Sequence, residues 1–292
     1  MIPPRFEYQA VSSVDEAIRA LDQYQGDAKI LAGGHSLIPM MKLRLTEPKA
    51  LIDINGIPDL AFIREDGDWL RIGALARTND LLDSPLLRKS YPIFSDAASE
   101  IADPIVRNWG TVGGNLSHGD VGNDLPAVMM ALNAQFVVRG PGGKSRTVPA
   151  TGFYKDTFVT VLAPNELLTE AQVPKARPGD GSAYLKIEKR VGDFAIAGAA
   201  AFVGLGAKGT VERAGIALTA AGPTAIRVQA AEAELVGKSP DEAALTRAAT
   251  AARAAAKPAS DIRGPSDYKV AVAGELVRRA LRRSVERARG GK

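Results

Sequence analysis

The sequence contains no cysteine and only two histidines, His35 and His118, among its 292 residues. The absence of cysteine excludes disulfide bonds, cysteine nucleophiles, cysteine-type zinc sites and any iron–sulfur cluster held by cysteines of this chain. Two histidines are too few for a catalytic zinc site with three histidines, and neither belongs to an HExxH pattern. We therefore expect no metal site in this chain.

Long apolar runs and a strong excess of one charge are also missing. The longest weakly polar run, residues 194–207, is too short to span a bilayer. The first residues lack the charged and apolar regions of a signal peptide, which predicts a cytoplasmic protein. A net charge of +4 is too small to indicate nucleic-acid binding. The hydrophobic share of 46% is typical of a globular protein, and the length predicts two domains.

The remaining sequence predicts helices and strands in alternation. Ser13 and Glu16 form a capping-box pattern before apolar residues at helical spacing, which indicates a helix start. Predicted helices span residues 13–24, 37–44, 79–89, 91–101, 124–132, 224–235, 241–256 and 268–289. Predicted strands span residues 28–32, 50–54, 69–75, 136–139, 146–148, 166–173, 195–205 and 211–220. Residues 103–123 form a polar, glycine-rich stretch, and the proline and glycine residues of 175–181 indicate a domain boundary.

Two glycine patterns look like nucleotide-binding motifs but are interpreted as hairpin turns. Residues 204–209 match GxGxxG, yet an apolar strand pattern follows them instead of the helix that a dinucleotide fingerprint needs. Residues 142–145 resemble the end of a Walker A loop, but the required first glycine is Val138.

Two other glycine pairs are stronger candidates for a ligand site. Residues 32–36 read Ala-Gly-Gly-His-Ser, and residues 111–115 read Thr-Val-Gly-Gly-Asn. Paired glycines allow close backbone approach, and successive N–H groups in such turns form an anion-binding nest. Ser36 and Thr111 add hydroxyl groups and Asn115 adds an amide, so a pyrophosphate would suit the space between the two segments. The alternative is two unrelated tight turns, which composition alone favours.

The wider pattern resembles a known family. The segments AGGHSLIP (32–39) and TVGGN (111–115) are similar to the FAD-binding motifs of the flavoprotein subunits of molybdenum hydroxylases, the xanthine dehydrogenase and aerobic carbon monoxide dehydrogenase group. Within this group the sequence is most similar to the medium subunits of aerobic carbon monoxide dehydrogenases. The similarity covers nearly the whole chain and includes residues 1–8, 101–104, 107, 122–126, 166–169, 184–186, 192–193 and 263–265. Val121 departs from the proline of the family pattern, at a loop flank.

The resemblance implies an α+β fold. Residues 1–176 would form a two-lobed FAD-binding domain of the vanillyl-alcohol-oxidase (PCMH) type, with lobes of about 1–56 and 57–176. Residues 177–292 would form a C-terminal domain with an antiparallel sheet backed by helices.

The resemblance also implies roles for individual residues. Backbone groups of 32–36 and 111–115 would hold the pyrophosphate, and Asp124 would bind the ribose of the adenosine half. Ile101 and Ala102 would line the cleft, and Leu168 and Lys186 would contact the isoalloxazine end. The full set expected to bind FAD is Ala32, Gly33, Gly34, His35, Ser36, Leu37, Ile101, Ala102, Thr111, Val112, Gly113, Gly114, Asn115, Asp124, Leu168 and Lys186.

Several of these residues have a second interpretation. A cation at Lys186 would stabilise the reduced flavin ring, but Lys186 is equally compatible with an exposed lysine at a strand edge. Phe194 either covers one flavin face or belongs to the core. His35 either donates to a phosphate or orders its own loop, and we favour the loop. His118 is expected at the surface or in the cleft lining.

The implied function is electron transfer within a complex, so no catalytic residue is expected in this chain. A large subunit would hold the molybdenum cofactor, with copper in carbon monoxide dehydrogenase, and a small subunit would hold two [2Fe–2S] clusters. FAD in this chain would pass electrons to a quinone or another acceptor, in a dimer of heterotrimers that could contact the inner face of the cytoplasmic membrane. One alternative is the same subunit in a hydroxylase of purines, caffeine, nicotine or aldehydes. The other is an assembly or binding protein that keeps the fold without flavin.

The C-terminal helix concentrates positive charge, with seven basic and two acidic residues from 275 to 292. One interpretation is a docking arm for a partner or an anionic membrane. The other, which we favour, is a solvated helix whose cations complement its dipole. The absence of interleaved aromatic residues speaks against nucleic acid.

Overall fold

Three larger β-sheets follow one another along the chain, and a short two-stranded ribbon accompanies them. The computed structural model describes residues 2–291. The strands are β1 (Glu7–Ala10), β2 (Ala28–Leu31), β3 (Ala50–Asp53), β4 (Ile63–Asp66), β5 (Trp69–Gly73), β6 (Gln135–Arg139), β7 (Ser145–Pro149), β8 (Tyr154–Asp156), β9 (Val159–Thr160), β10 (Leu167–Pro174), β11 (Asp180–Glu188), β12 (Ala195–Leu205), β13 (Val211–Thr219) and β14 (Ile226–Arg227). The helices are α1 (Val14–Gln23), α2 (Leu37–Lys42), α3 (Thr78–Asp83), α4 (Pro85–Ser90), α5 (Pro92–Glu100), α6 (Pro104–Trp109), α7 (Val112–His118), α8 (Asp124–Ala131), α9 (Gln229–Ala233), α10 (Glu242–Ala255) and α11 (Ser266–Ala288). The predicted α+β class is confirmed.

The first sheet is parallel and has the strand order β1-β3-β2. Helix α1 covers it with the buried side chains of Ala17, Ile18 and Leu21. The predicted start of α1 is confirmed, because Ser13 Oγ accepts a hydrogen bond from the N–H of Glu16 (3.2 Å). The Glu16 carboxylate in turn accepts from the N–H of Ser12 (2.9 Å), one residue before the expected donor.

The second sheet is antiparallel and has the order β4-β5-β10-β6-β7. Helices α3, α4, α5, α7 and α8 contribute to the hydrophobic core that it shares. In this core the rings of Phe136 and Phe153 meet edge to face, with centroids 4.8 Å apart. The Gly142-Gly143 segment forms the turn between β6 and β7, so its predicted role as a hairpin is confirmed.

The third sheet, β11-β12-β13-β14, is antiparallel and lies between two helical layers. Helices α10 and α11 cover one face, and α5 and α8 of the preceding domain contact β11, β12 and β13. The backbones approach closely, since a Cβ atom at Gly181 would collide with Ser284 and one at Gly215 would collide with Ala131. The GxGxxG segment 204–209 makes the turn between β12 and β13, as predicted.

Some elements differ from the prediction. The expected helix 79–89 is divided into α3 and α4, because Ser84 caps a second helix that begins with Pro85. The expected helix 224–235 is shortened to α9 and is preceded by β14. The polar stretch 103–123 contains α6 and α7, since Asp103 and Thr111 accept N-cap hydrogen bonds from Val106 and Gly114.

Four basic residues of α11 form ion pairs with acidic residues of other helices. Arg278 and Arg282 pair with Glu242 of α10, and Arg283 and Arg287 pair with Asp96 of α5. These ion pairs join α11 to two other helices. From the sequence we favoured a solvated helix without such contacts. No helix within residues 2–291 combines the length and apolar character needed to cross a membrane.

Candidate functional site

A cavity of about 860 Å³ lies where the three sheets meet. This size falls within the range of about 300–1,000 Å³ that is typical of small-molecule pockets. Of the sixteen residues expected to bind FAD, fifteen line this cavity. Val112 does not, because its side chain is fully buried in the core of the second sheet. The structure thus brings together both glycine motifs, Asp124, Leu168 and Lys186.

The first motif provides free backbone donors. It connects the end of β2 to the start of α2, and Gly34 adopts a φ of +74°, which favours glycine. Within the part of the chain that the structure describes, the N–H groups of residues 33–36 donate no hydrogen bond. These residues line the cavity. A row of free N–H groups is a binding site for an anion such as a phosphate.

The second motif is built differently. The N–H groups of Val112 and Gly113 donate to two carbonyl groups that follow β5 (2.9 and 2.8 Å). The N–H of Gly114 donates to Thr111 Oγ1 (3.1 Å), and that of Asn115 donates to the Thr111 carbonyl (2.9 Å). The N–H groups of residues 112–115 thus have partners within the protein, and the binding of a pyrophosphate by backbone groups of this motif stays a prediction. Asn115 offers its side chain instead, and its Oδ1 is buried without a hydrogen-bond partner.

Lys186 lies on β11, the edge strand of the third sheet, and lines the cavity. Its side chain is 1% exposed, so the interpretation as an exposed lysine is wrong. Its Nζ donates to the carbonyl groups of Glu100 (2.6 Å) and Asp193 (3.0 Å). The carboxylates of Asp124 and Glu188 lie 3.4 and 3.0 Å away. Lys186 therefore joins α5 to the loop that follows β11.

Asp124 is the buried acidic residue of the cavity. Burial raises the pKa of its carboxyl group from 3.8 to about 6, while Lys186 and a hydrogen bond from Tyr184 (2.6 Å) act in the opposite direction. Asp124 and Lys186 are only 3.4 Å apart. FAD is many times longer than this distance, so the expectation that they contact opposite ends of the cofactor is wrong.

The Ile101-Ala102 wall is held from two sides. Nη1 of Arg107 donates to the carbonyl groups of Ile101 (2.9 Å) and Ala102 (3.0 Å). Ala102 has a φ of +48°, a strained conformation for a residue with a side chain. Across from it, a Cβ atom at Gly192 would lie 2.7 Å from the Ala102 oxygen. Glycine at 192 is needed for this close approach.

The histidines and Phe194 lie at the edges of the cavity. Burial lowers the pKa of His118, which favours the neutral ring that lies 5.0 Å from the ring of Phe158. His35 is exposed in its loop. Phe194 is 43% exposed and lies under the guanidinium of Arg263, so its assignment to the core is wrong. Residues 2–291 contain no cluster of side chains suited to a metal ion.

Some groups that shape the cavity could not be predicted from the sequence. Glu100 and Asp193 act through backbone carbonyl groups, for which side-chain identity gives no signal. Tyr184 lies two residues before Lys186, and the alternation of a strand could have placed both side chains on one face. The strand that carries them, β11, was not predicted.

The cavity suits a dinucleotide. The free donors of residues 33–36 match a pyrophosphate, and Asp124 can accept a hydrogen bond from a sugar or polyol hydroxyl. The buried Oδ1 of Asn115 needs a donor that the described chain does not provide. Ile101 and Leu168 add apolar lining for a planar ring system.

Comparisons with known proteins agree with this fit. A family described as "FAD binding domain in molybdopterin dehydrogenase" matches residues 4–176, and one described as "CO dehydrogenase flavoprotein C-terminal domain" matches residues 182–284. The carbon monoxide dehydrogenase medium chain of Hydrogenophaga pseudoflava is 50% identical over 281 residues, which cover 96% of this chain and 97% of the relative. The alpha subunit of the 6-hydroxypseudooxynicotine dehydrogenase complex of Paenarthrobacter nicotinovorans is 39% identical, covering 99% and 97%.

The fold is also similar to that of a solved complex. A chain of the carbon monoxide dehydrogenase from Hydrogenophaga pseudoflava, in a form that lacks the Mo-pyranopterin moiety of the molybdenum cofactor, has a TM-score of 0.95. It is 51% identical in sequence, and the match covers 98% of this chain and 99% of the other. This chain therefore belongs to the family of FAD-binding flavoprotein subunits of the molybdenum hydroxylases.

Proposed function

We propose that this chain is the FAD-carrying medium subunit of an aerobic carbon monoxide dehydrogenase. The observation that carries the proposal is the row of free N–H groups at residues 33–36, in a cavity that also holds the Asp124–Lys186 pair. FAD bound there supplies the capacity to accept and release electrons one or two at a time. The 50% identity to a medium chain of this enzyme supports carbon monoxide as the substrate of the complex.

Different residues of the cavity bind different parts of FAD. The N–H groups of 33–36 hold the pyrophosphate. Asp124 accepts a hydrogen bond from a hydroxyl of the ribityl chain, because it lies beside Lys186 at the isoalloxazine end. Lys186 would bring a cation to that end, where Asp124 and Glu188 offset its charge and help to hold it in place. Ile101 and Leu168 exclude water from the ring's surroundings.

Partner chains supply the remaining redox centres. This chain has no cysteine, so the [2Fe–2S] clusters that deliver electrons belong to a small partner subunit. A large partner subunit holds the molybdenum cofactor and copper and oxidises carbon monoxide, in a dimer of heterotrimers. The acceptor is a quinone, which places the complex at the inner face of the membrane during electron release.

The test is the composition and substrate range of the native complex. We expect a flavoprotein that releases FAD on denaturation, contains molybdenum, copper and iron, and oxidises carbon monoxide with a quinone. A complex with all cofactors that oxidises N-heterocycles or aldehydes instead would support the related hydroxylases, which the 39% identical relative represents. A colourless chain that cannot be reconstituted with FAD would contradict the flavoprotein function itself.

A further inference from the structure

Tyr184 is a buried residue behind the wall of the cavity. Its side chain is 1% exposed and does not line the cavity, whereas its partner Asp124 does. The Tyr184 hydroxyl donates to Asp124 Oδ1 at 2.6 Å. Burial and the neighbouring carboxylate raise the pKa of Tyr184 well above its ordinary value, so the hydroxyl keeps its proton and remains a donor.

The surrounding strands make room for this hydroxyl. Gly198 of β12 lies next to it, and a Cβ atom at this position would collide with the Tyr184 oxygen. Thr219 Oγ1 of β13 lies 3.4 Å from the same oxygen. The Tyr184 backbone is fixed as well, because its N–H donates to Asp96 Oδ2 (3.2 Å). The position of the hydroxyl is thus set by three strands and α5.

This bond fixes the plane of the Asp124 carboxylate. Oδ1 is occupied by the Tyr184 hydroxyl, and Oδ2 faces Lys186 at 3.4 Å. Without the bond, the carboxylate plane could rotate about the Cβ–Cγ bond at little cost, because this torsion has a broad energy profile. We infer that Tyr184 is a positioning residue that acts through Asp124, holding its carboxylate in the orientation that accepts a hydrogen bond from a polyol hydroxyl of FAD. This inference rests on the proposed placement of FAD at Asp124.

The charged groups around Asp124 determine the pH range in which its carboxyl group ionises. Tyr184 and Lys186 of β11 stabilise the carboxylate, and Glu100 of α5 disfavours it. Glu188 of β11 lies 3.0 Å from the Nζ of Lys186. Removing the Tyr184 hydroxyl takes away one stabilising bond, so a higher pH is needed to ionise Asp124.

The experiment is a titration of the deflavinated full-length chain with FAD, followed by protein fluorescence from pH 5 to 8. Tyr184→Phe removes one oxygen and keeps the ring. We expect FAD affinity to fall about tenfold, as for one hydrogen bond to a charged group, and the pH midpoint of binding to rise. Tyr91→Phe is the matched control, since Tyr91 is also buried and donates to a carboxylate, Glu65, outside the cavity.

A double-mutant cycle with Asp124→Ala separates positioning from packing. If Tyr184 acts through Asp124, its replacement costs little in the Asp124→Ala background, so the two effects do not add. Additive effects, or a Tyr184→Phe variant with the affinity and pH midpoint of Tyr91→Phe, would overturn the inference. Wild-type affinity in Asp124→Ala would instead contradict the placement of FAD at Asp124.

A second variant keeps the hydroxyl but moves it. Gly198→Ala forces the Tyr184 oxygen away from its position, and it serves if Tyr184→Phe does not fold. We expect weaker FAD binding and a pH midpoint shifted in the same direction, with the flavin absorption spectrum of the remaining bound fraction unchanged. Unchanged affinity and midpoint in Gly198→Ala would likewise overturn the positioning role.

Discussion

Gly33 lies so close to Trp109 that a Cβ atom at position 33 would collide with the Trp109 carbonyl oxygen. Trp109 ends α6, and Gly110 joins it to the second glycine motif. The first motif is therefore packed through its backbone against the residues that lead into the second. Glycine is required at position 33 for contact within the protein, in addition to any contact with a ligand.

The first prediction follows from this contact. Gly33→Ala should displace residues 109–110 and lower both thermal stability and FAD content, because carbonyl and Cβ atoms cannot share the space. Gly152→Ala is the control, since a Cβ atom there meets no atom within 4 Å. Melting temperature and FAD per chain measure the two effects. A wild-type melting temperature and FAD content in Gly33→Ala would contradict this prediction, because they would show that residues 109–110 can move away without loss of stability.

The second prediction concerns the contact between α5 and α11. Asp96 accepts two hydrogen bonds from Arg287 (2.6 and 3.0 Å), and both side chains are largely buried. Arg287→Ala leaves the Asp96 carboxylate with less compensation, which should destabilise the protein by about 3 kcal/mol. Arg279→Ala on the same helix removes an exposed pair with Glu275 and should cost under about 1 kcal/mol.

Urea unfolding of both variants gives the comparison. Equal stability losses for Arg287→Ala and Arg279→Ala would contradict the assignment of Arg287 as the link between the C-terminal helix and the FAD-binding region.

Local signals predicted much of the fold. The start of α1 depends on Ser13 and Glu16, three residues apart, and the β6–β7 and β12–β13 turns depend on glycines within each turn. Helix α7 was missed because its glycines oppose helix formation, and its first N–H groups are satisfied by carbonyl groups after β5. That pairing spans more than thirty residues, so no local pattern encodes it.

The sequence predicted which residues form the site but not how their side chains are arranged. The glycine motifs placed FAD only through their resemblance to a family, since either motif alone is compatible with a tight turn. The environment of Lys186 consists of two backbone carbonyl groups and two carboxylates from distant segments. Its burial follows from tertiary packing and not from the strand pattern around it. The domain boundaries at 56 and 176 stay predictions.

The third prediction is a pH dependence of stability that originates at Asp124. Its folded pKa is raised from 3.8 to about 6, so the folded chain binds this proton more tightly than the unfolded chain. The resulting stability is fully present below about pH 4 and is lost as the pH rises through 6. The shift corresponds to about 3 kcal/mol. Asp124→Asn should remove this contribution.

The measurement is the free energy of unfolding of the FAD-free chain at pH 4 and pH 7. Relative to Asp124→Asn, the wild-type chain should lose stability over this interval. Parallel pH profiles for the two proteins would show that Asp124 titrates at an ordinary pKa.

The fourth prediction separates two roles of Lys186. Lys186→Met removes the donor that joins Glu100 and Asp193, and it leaves Asp124 and Glu188 without their shared cation. We expect a loss of about 3 kcal/mol in stability, as for other broken buried pairs. FAD binding should weaken as well, because the walls of the cavity are no longer held together.

Lys175→Met is the control, because Lys175 pairs with Glu65 and its side chain is 48% exposed. It should keep wild-type FAD affinity and nearly wild-type stability. In Lys186→Arg the charge is retained but the fit to two carbonyl groups is lost. If Lys186 acts on the flavin by charge alone, Lys186→Arg keeps the wild-type reduction potential; if it acts by holding the walls, Lys186→Arg loses FAD affinity as Lys186→Met does. Unchanged stability and FAD affinity in Lys186→Met would contradict both roles. If the hydrogen bonds of this buried cation hold the two walls of the cavity together, its removal must lower stability and FAD affinity.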